Sequence, residues 1–172
     1  MGTLKVDQIK TAAGGTGVQI SGHVVQVVHV QDGEVASGTT TILYDDTIMQ
    51  NDEGTEFMTL AITPTKATNK LKIDVVCHCN SSVGSKIFTV GLFQDSTADA
   101  LATMSETESI ANSPTPISFT HFMTAGTTSS TTFKVRAGPD SSATVTFNGR
   151  DGSNRRGGGR YASSITITEI AV

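Results

Sequence analysis

Tryptophan is absent, and seven phenylalanines and two tyrosines are the whole aromatic complement of the 172 residues. An apolar content of 37% is enough for a core but thin. A chain of this length removes about 70% of its unfolded surface from water, so one domain, or one with a short appendage, needs no covalent staples. Charge is scarce too: 12 basic against 16 acidic residues, 16% of the chain, for a net of −4. That balance argues against wholesale binding to nucleic acid or insertion into a membrane. The two cysteines, Cys77 and Cys79, are one residue apart. An ordinary disulfide does not close at that spacing, so both are read as reduced. No apolar run approaches the roughly 18 residues of a spanning helix. Lys5 and Lys10 interrupt the first 22 residues with no continuous apolar stretch, so a soluble product without a secretory signal is expected.

What is abundant is small and polar. Twenty-seven threonines, 17 serines and 17 glycines fill the chain. The branched Cβ of threonine loses rotamer freedom in a helix and suits a pleated surface, so this composition predicts strands. Residues 1–22 read as a unit apart: Leu4, Val6 and Ile9 punctuate a polar run that ends in Ala12, Ala13, Gly14, Gly15, Gly17 and Gly22. Two readings stand, an unstructured terminus and a docking peptide followed by a glycine-rich connector.

From His23 to Val172 the apolar period is two, broken every ten residues or so by turn signals. Strands are predicted over 23–31, 39–44, 56–63, 70–79, 86–94, 117–124, 131–138, 143–149 and 162–172. The 70–79 segment is the clearest, with Leu71, Ile73, Val75, Cys77 and Cys79 on one face and Lys72, Asp74 and His78 on the other. The best helical candidate, 97–104, is too short to stand alone. Nine short strands with Gly, Pro, Asn and Asp turns predict an all-β antiparallel sandwich or jelly roll. No fixed repeat supports a solenoid.

Chemistry-bearing motifs are few. Cys77-His78-Cys79 lacks both the spacing and the four ligands of a zinc site; on a strand the two thiols share a face while His78 points away, and both read as core side chains. His23, His29 and His121 are scattered. Asp45, Asp46, Asp52, Glu53 and Glu56 cluster without the pattern of a helix-loop-helix calcium loop and read as a solvated loop. Nucleophile-elbow and phosphate-loop motifs are missing. Four of the five arginines, Arg150, Arg155, Arg156 and Arg160, fall in GRDGSNRRGGGRYA at 149–162. The plain reading is a hairpin loop. The functional one is an exposed tip whose guanidinium forks bind carboxylates or phosphates of a surface glycan or a neighbouring subunit.

ITPTKATNKLKIDV at 62–75, HFMTAGTTSSTTFKVRAG at 121–138 and SSITITEI at 163–170 together resemble the small jelly-roll domains of bacteriophage tail fibres and related virion proteins. TLKVDQIKTAAG at 3–14 is similar to the amino-terminal attachment peptide of marine phage and cyanophage fibre-like proteins. The resemblance spans nearly the whole chain. It implies a jelly roll similar in architecture to tumour necrosis factor and the globular head of complement C1q, assembled as a homotrimer on the virion exterior, tail or capsid. It also implies docking to other virion proteins through Leu4, Val6 and Ile9. Fibres of that kind place a long shaft between attachment peptide and head, whereas this sequence has only a glycine-rich connector.

Two virion roles follow, a short tail fibre or tail-associated appendage contacting the host surface, and a capsid decoration protein tethered by its amino-terminal arm. A third reading, a carbohydrate-active or metal-dependent enzyme, lacks a carboxylate or histidine constellation. No catalytic residue, cofactor or metal is therefore expected. Trimerisation has a physical basis of its own. HVVQVVHV at 23–30 and IFTVGLF at 87–93 are apolar at nearly every position, and strands apolar on both faces need cover on both. Val25, Val28, Val90 and Phe93 are the candidate interface residues, in closed cyclic symmetry.

Overall fold

The period-two pattern becomes twelve strands in a computed structural model that describes residues 20–172. These are β1 (Val24–Asp32), β2 (Ala36–Gly38), β3 (Thr55–Ile62), β4 (Lys70–Ser81), β5 (Lys86–Gln94), β6 (Ala102–Glu108), β7 (Thr115–Thr124), β8 (Thr131–Pro139), β9 (Val145–Phe147), β10 (Gly149–Arg150), β11 (Asn154–Arg155) and β12 (Ser163–Ile170). The antiparallel pairs are nested: β5 with β6, β4 with β7, β3 with β8, and β1 with β12. Such nesting is one long hairpin, turned back at β5–β6 and rolled up into two sheets. The fold is a jelly-roll β-sandwich. One sheet runs β7-β4-β12-β1, with β9 beside the last residues of β4 and β2 beyond it; the other runs β3-β8-β5-β6.

The core lies between the sheets and follows the alternation. Leu71, Ile73, Val75, Cys77 and Cys79 of β4 meet Phe88, Val90 and Leu92 of β5 and Phe133, Val135 and Ala137 of β8, with Ile165 and Ile167 of β12 closing the layer. Phe57 and Phe147 stack with ring centroids 5.0 Å apart. The Cys77 and Cys79 sulfurs are 3.1 Å apart and buried, and both thiols are free. Burial pushes the Cys79 thiol well above its ordinary range, so it packs as a small hydrophobe.

Two predicted elements are corrected. Residues 39–44 form no strand. Their hydroxyl-rich alternation imitates one, but Ile42 hangs from Pro139 by a single backbone bond (2.9 Å) and the segment crosses the outer face of the second sheet as a loop. Residues 102–108, where no strand was expected and whose first three belong to the short helical candidate 97–104, are strand β6, because pairing with β5 outweighs the weak helical preference of so short a segment. The loop from 39 to 54 explains the apolar character of β5. Thr89, Gly91 and Phe93 face outward from the core, and Ile42, Met49 and Ala100 pack against Phe93 to form a second small cluster. Gly91 gives the Met49 side chain its room, since a Cβ would stand 2.5 Å from the Met49 sulfur and displace it.

Two glutamates are buried, with opposite electrostatics. Glu169 continues the inward row of Ile165 and Ile167. Its carboxylate accepts hydrogen bonds from Gln26 Nε2 (2.6 Å), Thr65 N (2.9 Å), Thr65 Oγ1 (2.8 Å) and Asn69 Nδ2 (2.6 Å). Burial alone pushes this carboxyl up, but the donors from Gln26, Asn69 and Thr65 together outweigh it and hold it below the ordinary value. Glu108 accepts from only Ser81 N (2.5 Å) and Ser113 N (2.8 Å), and burial wins, raising its carboxyl.

Glu169→Ala strands four donors and should destabilise by about 3 kcal/mol or more, read from denaturant melts at pH 7. A depressed carboxyl stabilises fully above its unfolded value, near 4.5, and loses that contribution as pH falls through the lower folded value. Acid destabilisation below that point should therefore be shallower in the alanine variant than in the wild type. Phe93→Ala empties the second cluster and should cost about 3 to 5 kcal/mol, measured in the same way.

Candidate functional site

The arginine-rich segment folds as the sequence's plain reading has it, into a hairpin. β10 and β11 pair in the register Gly149↔Arg155 and Arg150↔Asn154, and Asp151 and Gly152 adopt left-handed φ of 53° and 80° at the tip. Asn80 Nδ2 donates to Gly149 O (2.5 Å) and Gly152 N to Thr146 Oγ1 (2.7 Å), so the hairpin is anchored to the end of the first sheet. Past it, Gly157, Gly158 and Gly159 are all left-handed, at 56°, 64° and 79°. This turn brings Gly159 under the Arg155 guanidinium, where a Cβ would stand 2.3 Å from Nη2. Glycine at 159 thus leaves room for the Arg155 guanidinium.

Charge at this tip is concentrated. Arg150, Arg155 and Arg160 are exposed and Arg156 is half-buried. Asp151 is the one carboxylate among them, 3.7 Å from both Arg150 Nε and Arg156 Nη2. At that exposure and distance its attraction is mostly screened, leaving three guanidinium charges uncompensated on a chain of net −4. Tyr161 stacks on His78, with centroids 6.0 Å apart. Burial pushes the His78 imidazole below its ordinary value, which favours its neutral form.

The other sequence-derived candidates are distributed as follows. Leu4, Val6 and Ile9 lie outside the described residues. Val90 is fully buried in the core and Phe93 is sealed by Ile42 and Met49 of its own chain, so neither is at the surface. The cover that β5 needs comes from a loop rather than a subunit. Val28 packs inward on the core, while Val25 sits at a bulge between Val24 and Gln26 and is half-buried. The bulge shifts the outward row of β1 onto Val27, 54% exposed. Val27 stands in register with Thr168, which pairs with Lys72, which pairs with Phe122, 59% exposed. Val24 and Val27 on β1 and Phe122 on β7 are thus exposed at opposite edges of the first sheet's outer face, with Thr168 and the Lys72–Asp74 ion pair between them. The acidic residues disperse: Glu53 accepts from Leu43 N and Gln50 N, and Glu56 lies 3.5 Å from Arg136. Among the described residues no three His, Cys, Asp or Glu side chains converge on one point.

Sequence reasoning gave no role to Glu169 or Tyr44. Glu169 was detectable as a carboxylate on the apolar phase of SSITITEI. Tyr44 was hidden by the strand-like pattern around it.

The nested strands and their two sheets define the class of protein, a jelly-roll β-sandwich. No family model and no curated protein matches the chain. Among solved structures it is similar to the infectious bursal disease virus VP2 subviral particle, at 11% identity and a TM-score of 0.47 over 99% of this chain and 37% of that one. It is similar also to the CBM36-1 domain of a multidomain xylanase from the hindgut metagenome of Trinervitermes trinervoides, at 15% identity and TM-score 0.43, over 86% of this chain and all of that domain. A third similar structure is Eiger TNF from S. frugiperda, at 10% identity and TM-score 0.41, over 84% of this chain and 93% of that one. The chain spans little more than a third of the VP2 chain it matches.

The arginine tip should retain the protein on heparin resin at low salt despite its net negative charge. Replacing Arg150, Arg155, Arg156 and Arg160 together by serine should abolish retention, with a stability change of no more than about 0.5 kcal/mol per site.

Proposed function

We propose that this chain is a bacteriophage virion structural protein rather than an enzyme: the jelly-roll head of a short homotrimeric tail fibre or tail-associated appendage. One observation carries the reading. The described chain enters at Ile20, where Gly22 N donates to Ala171 O (2.8 Å) at the Val24↔Ile170 end of the β1–β12 ladder. The arginine hairpin leads into Ser163 at the other end of that ladder, where Asn148 Nδ2 donates to Asp32 O (2.6 Å). Eight residue steps at about 3.4 Å separate the two ends by roughly 25 Å. A head held by residues 1–19 therefore presents its basic tip away from the anchor, toward the phosphates and carboxylates of a host surface. The resemblance of residues 62–75 and 163–170 to phage fibre domains supports the same reading. Glu169 of the second segment is hydrogen-bonded to Thr65 and Asn69 of the first, so the two act as one structural unit.

The trimer reading is supported by the open face on β1 and β7. Val24 and Val27 at one edge of that sheet and Phe122 at the other are exposed apolar side chains that a closed symmetric interface removes from water. Light scattering of the wild type should give three chains, and Val27→Asp and Phe122→Asp should give folded monomers with unchanged circular dichroism. A monomeric wild type, or a trimer retained by both variants, overturns the interface.

Immunogold labelling of phage particles with antibody to the recombinant chain tests the location. Label at the tail or its tip supports the fibre; label over the head converts it to a capsid decoration protein; particles without label overturn both.

A further inference from the structure

A recess lies on the outer face of the second sheet, outside the core, where the 39–54 loop overhangs β5 and β6. It has a volume of about 410 Å³ and is lined by Leu43, Tyr44, Asp45, Asp46, Thr89 and Ser105, among others. A smaller recess of about 210 Å³ shares Tyr44 and Ser105 and runs on to Glu106 and Thr107. The two form one groove along Thr103, Ser105 and Thr107, alternate positions of β6 that share a face and span about 14 Å at about 3.4 Å per residue.

Three features specify its chemistry. Its floor is hydroxylic. The Thr89 and Ser105 hydroxyls are 2.7 Å apart, and Thr89 is only 7% exposed. One proton lies between the two oxygens, so the other hydroxyl proton has no acceptor among the described residues. Its wall is aromatic: Tyr44 is 63% exposed and Leu43 64%, although the loop that carries them buries Ile42 and Met49 well. Its rim accepts hydrogen bonds and carries negative charge. Asp45 spends one oxygen on Thr47 N (2.8 Å) and Thr47 Oγ1 (2.5 Å), keeping the second open, and Asp46 has no hydrogen-bond or ion-pair partner among the described residues. No lysine, arginine or histidine lines either recess.

We infer that this groove binds a neutral oligosaccharide, with a sugar ring stacked on Tyr44, its hydroxyls donating to Asp45 and Asp46, and a sugar oxygen accepting from the Thr89–Ser105 pair. The carboxylates repel phosphorylated, sulfated or sialylated ligands, the very class that suits the arginine tip. An extended peptide fits less well. Strand β6 is an edge of its sheet, but the groove lies on the sheet's face and is lined by side chains, not by the backbone groups through which peptides add to an edge. The inference stands on the groove and not on the virion reading, since it concerns the isolated chain wherever it resides.

The test is a microarray of neutral and anionic oligosaccharides probed with the full chain, followed by calorimetry on each binder. A neutral binder is expected, and Tyr44→Ala and Asp46→Asn should each weaken it about tenfold. Thr89→Val, which keeps the volume and removes the hydroxyl, should weaken it as well. The quadruple arginine-to-serine variant should bind it unchanged, which separates this site from the basic tip. The absence of any neutral binder overturns the proposal, as does binding indifferent to Tyr44 and Asp46. Preferential binding of hexalysine at this groove assigns it to a basic peptide instead and also overturns it.

Discussion

A single buried carboxylate ties together the parts of this sandwich that the hydrophobic core does not. Glu169 lies on the inward face of β12, the strand at the middle of the first sheet, and is hydrogen-bonded to Gln26 of β1 and to Thr65 and Asn69 of the turn between β3 and β4. That turn carries the chain from one sheet to the other. A charge at this depth is tolerable only because the donors exceed what burial takes away. Strand β12 is thereby locked to both of its surroundings, one by ladder and one by side chain. Glu108 shows the reverse case, where two backbone donors do not offset burial and the carboxyl is pushed up instead.

The second constraint is that β5 is apolar on both faces. The chain covers the outer face itself, with Ile42 and Met49 laid over Gly91 and Phe93. Among the described residues no such loop lies over the first sheet, and Val24, Val27 and Phe122 are exposed on its outer face. The same loop that seals β5 also overhangs β6 and leaves Tyr44 beside a hydroxylic floor. Packing economy in one place thus creates both an open face and a recess elsewhere.

Function in this molecule is a matter of placement. The basic hairpin and the entry of the described chain are at opposite ends of the β1–β12 ladder, and the acidic groove is on the sheet away from both. These surfaces carry opposite charge, so the field that draws an anion toward the arginines is reversed at Asp45 and Asp46.

The strand content was legible in the sequence because threonine density and period-two alternation are local properties, and β4, β7, β8 and β12 begin and end close to where the pattern places them. The hairpin at Arg150–Arg155 was legible for the same reason, through Asp151-Gly152 and the glycine run. Residues 39–44 and 102–108 were not. Whether a short polar-apolar alternation becomes strand or covering loop depends on whether a neighbouring ladder has a free edge, and that neighbour is distant in sequence. The interface residues failed on orientation: one bulge at Val25 moved the outward row of β1, and a loop fifty residues away buried Phe93. By itself the sequence determined an all-β antiparallel sandwich with a basic hairpin, since period and turn chemistry act over a few residues. Which faces are covered, which carboxylates are satisfied and where a groove opens were decided only by the tertiary structure, because each depends on side chains brought together from strands and loops far apart in the chain.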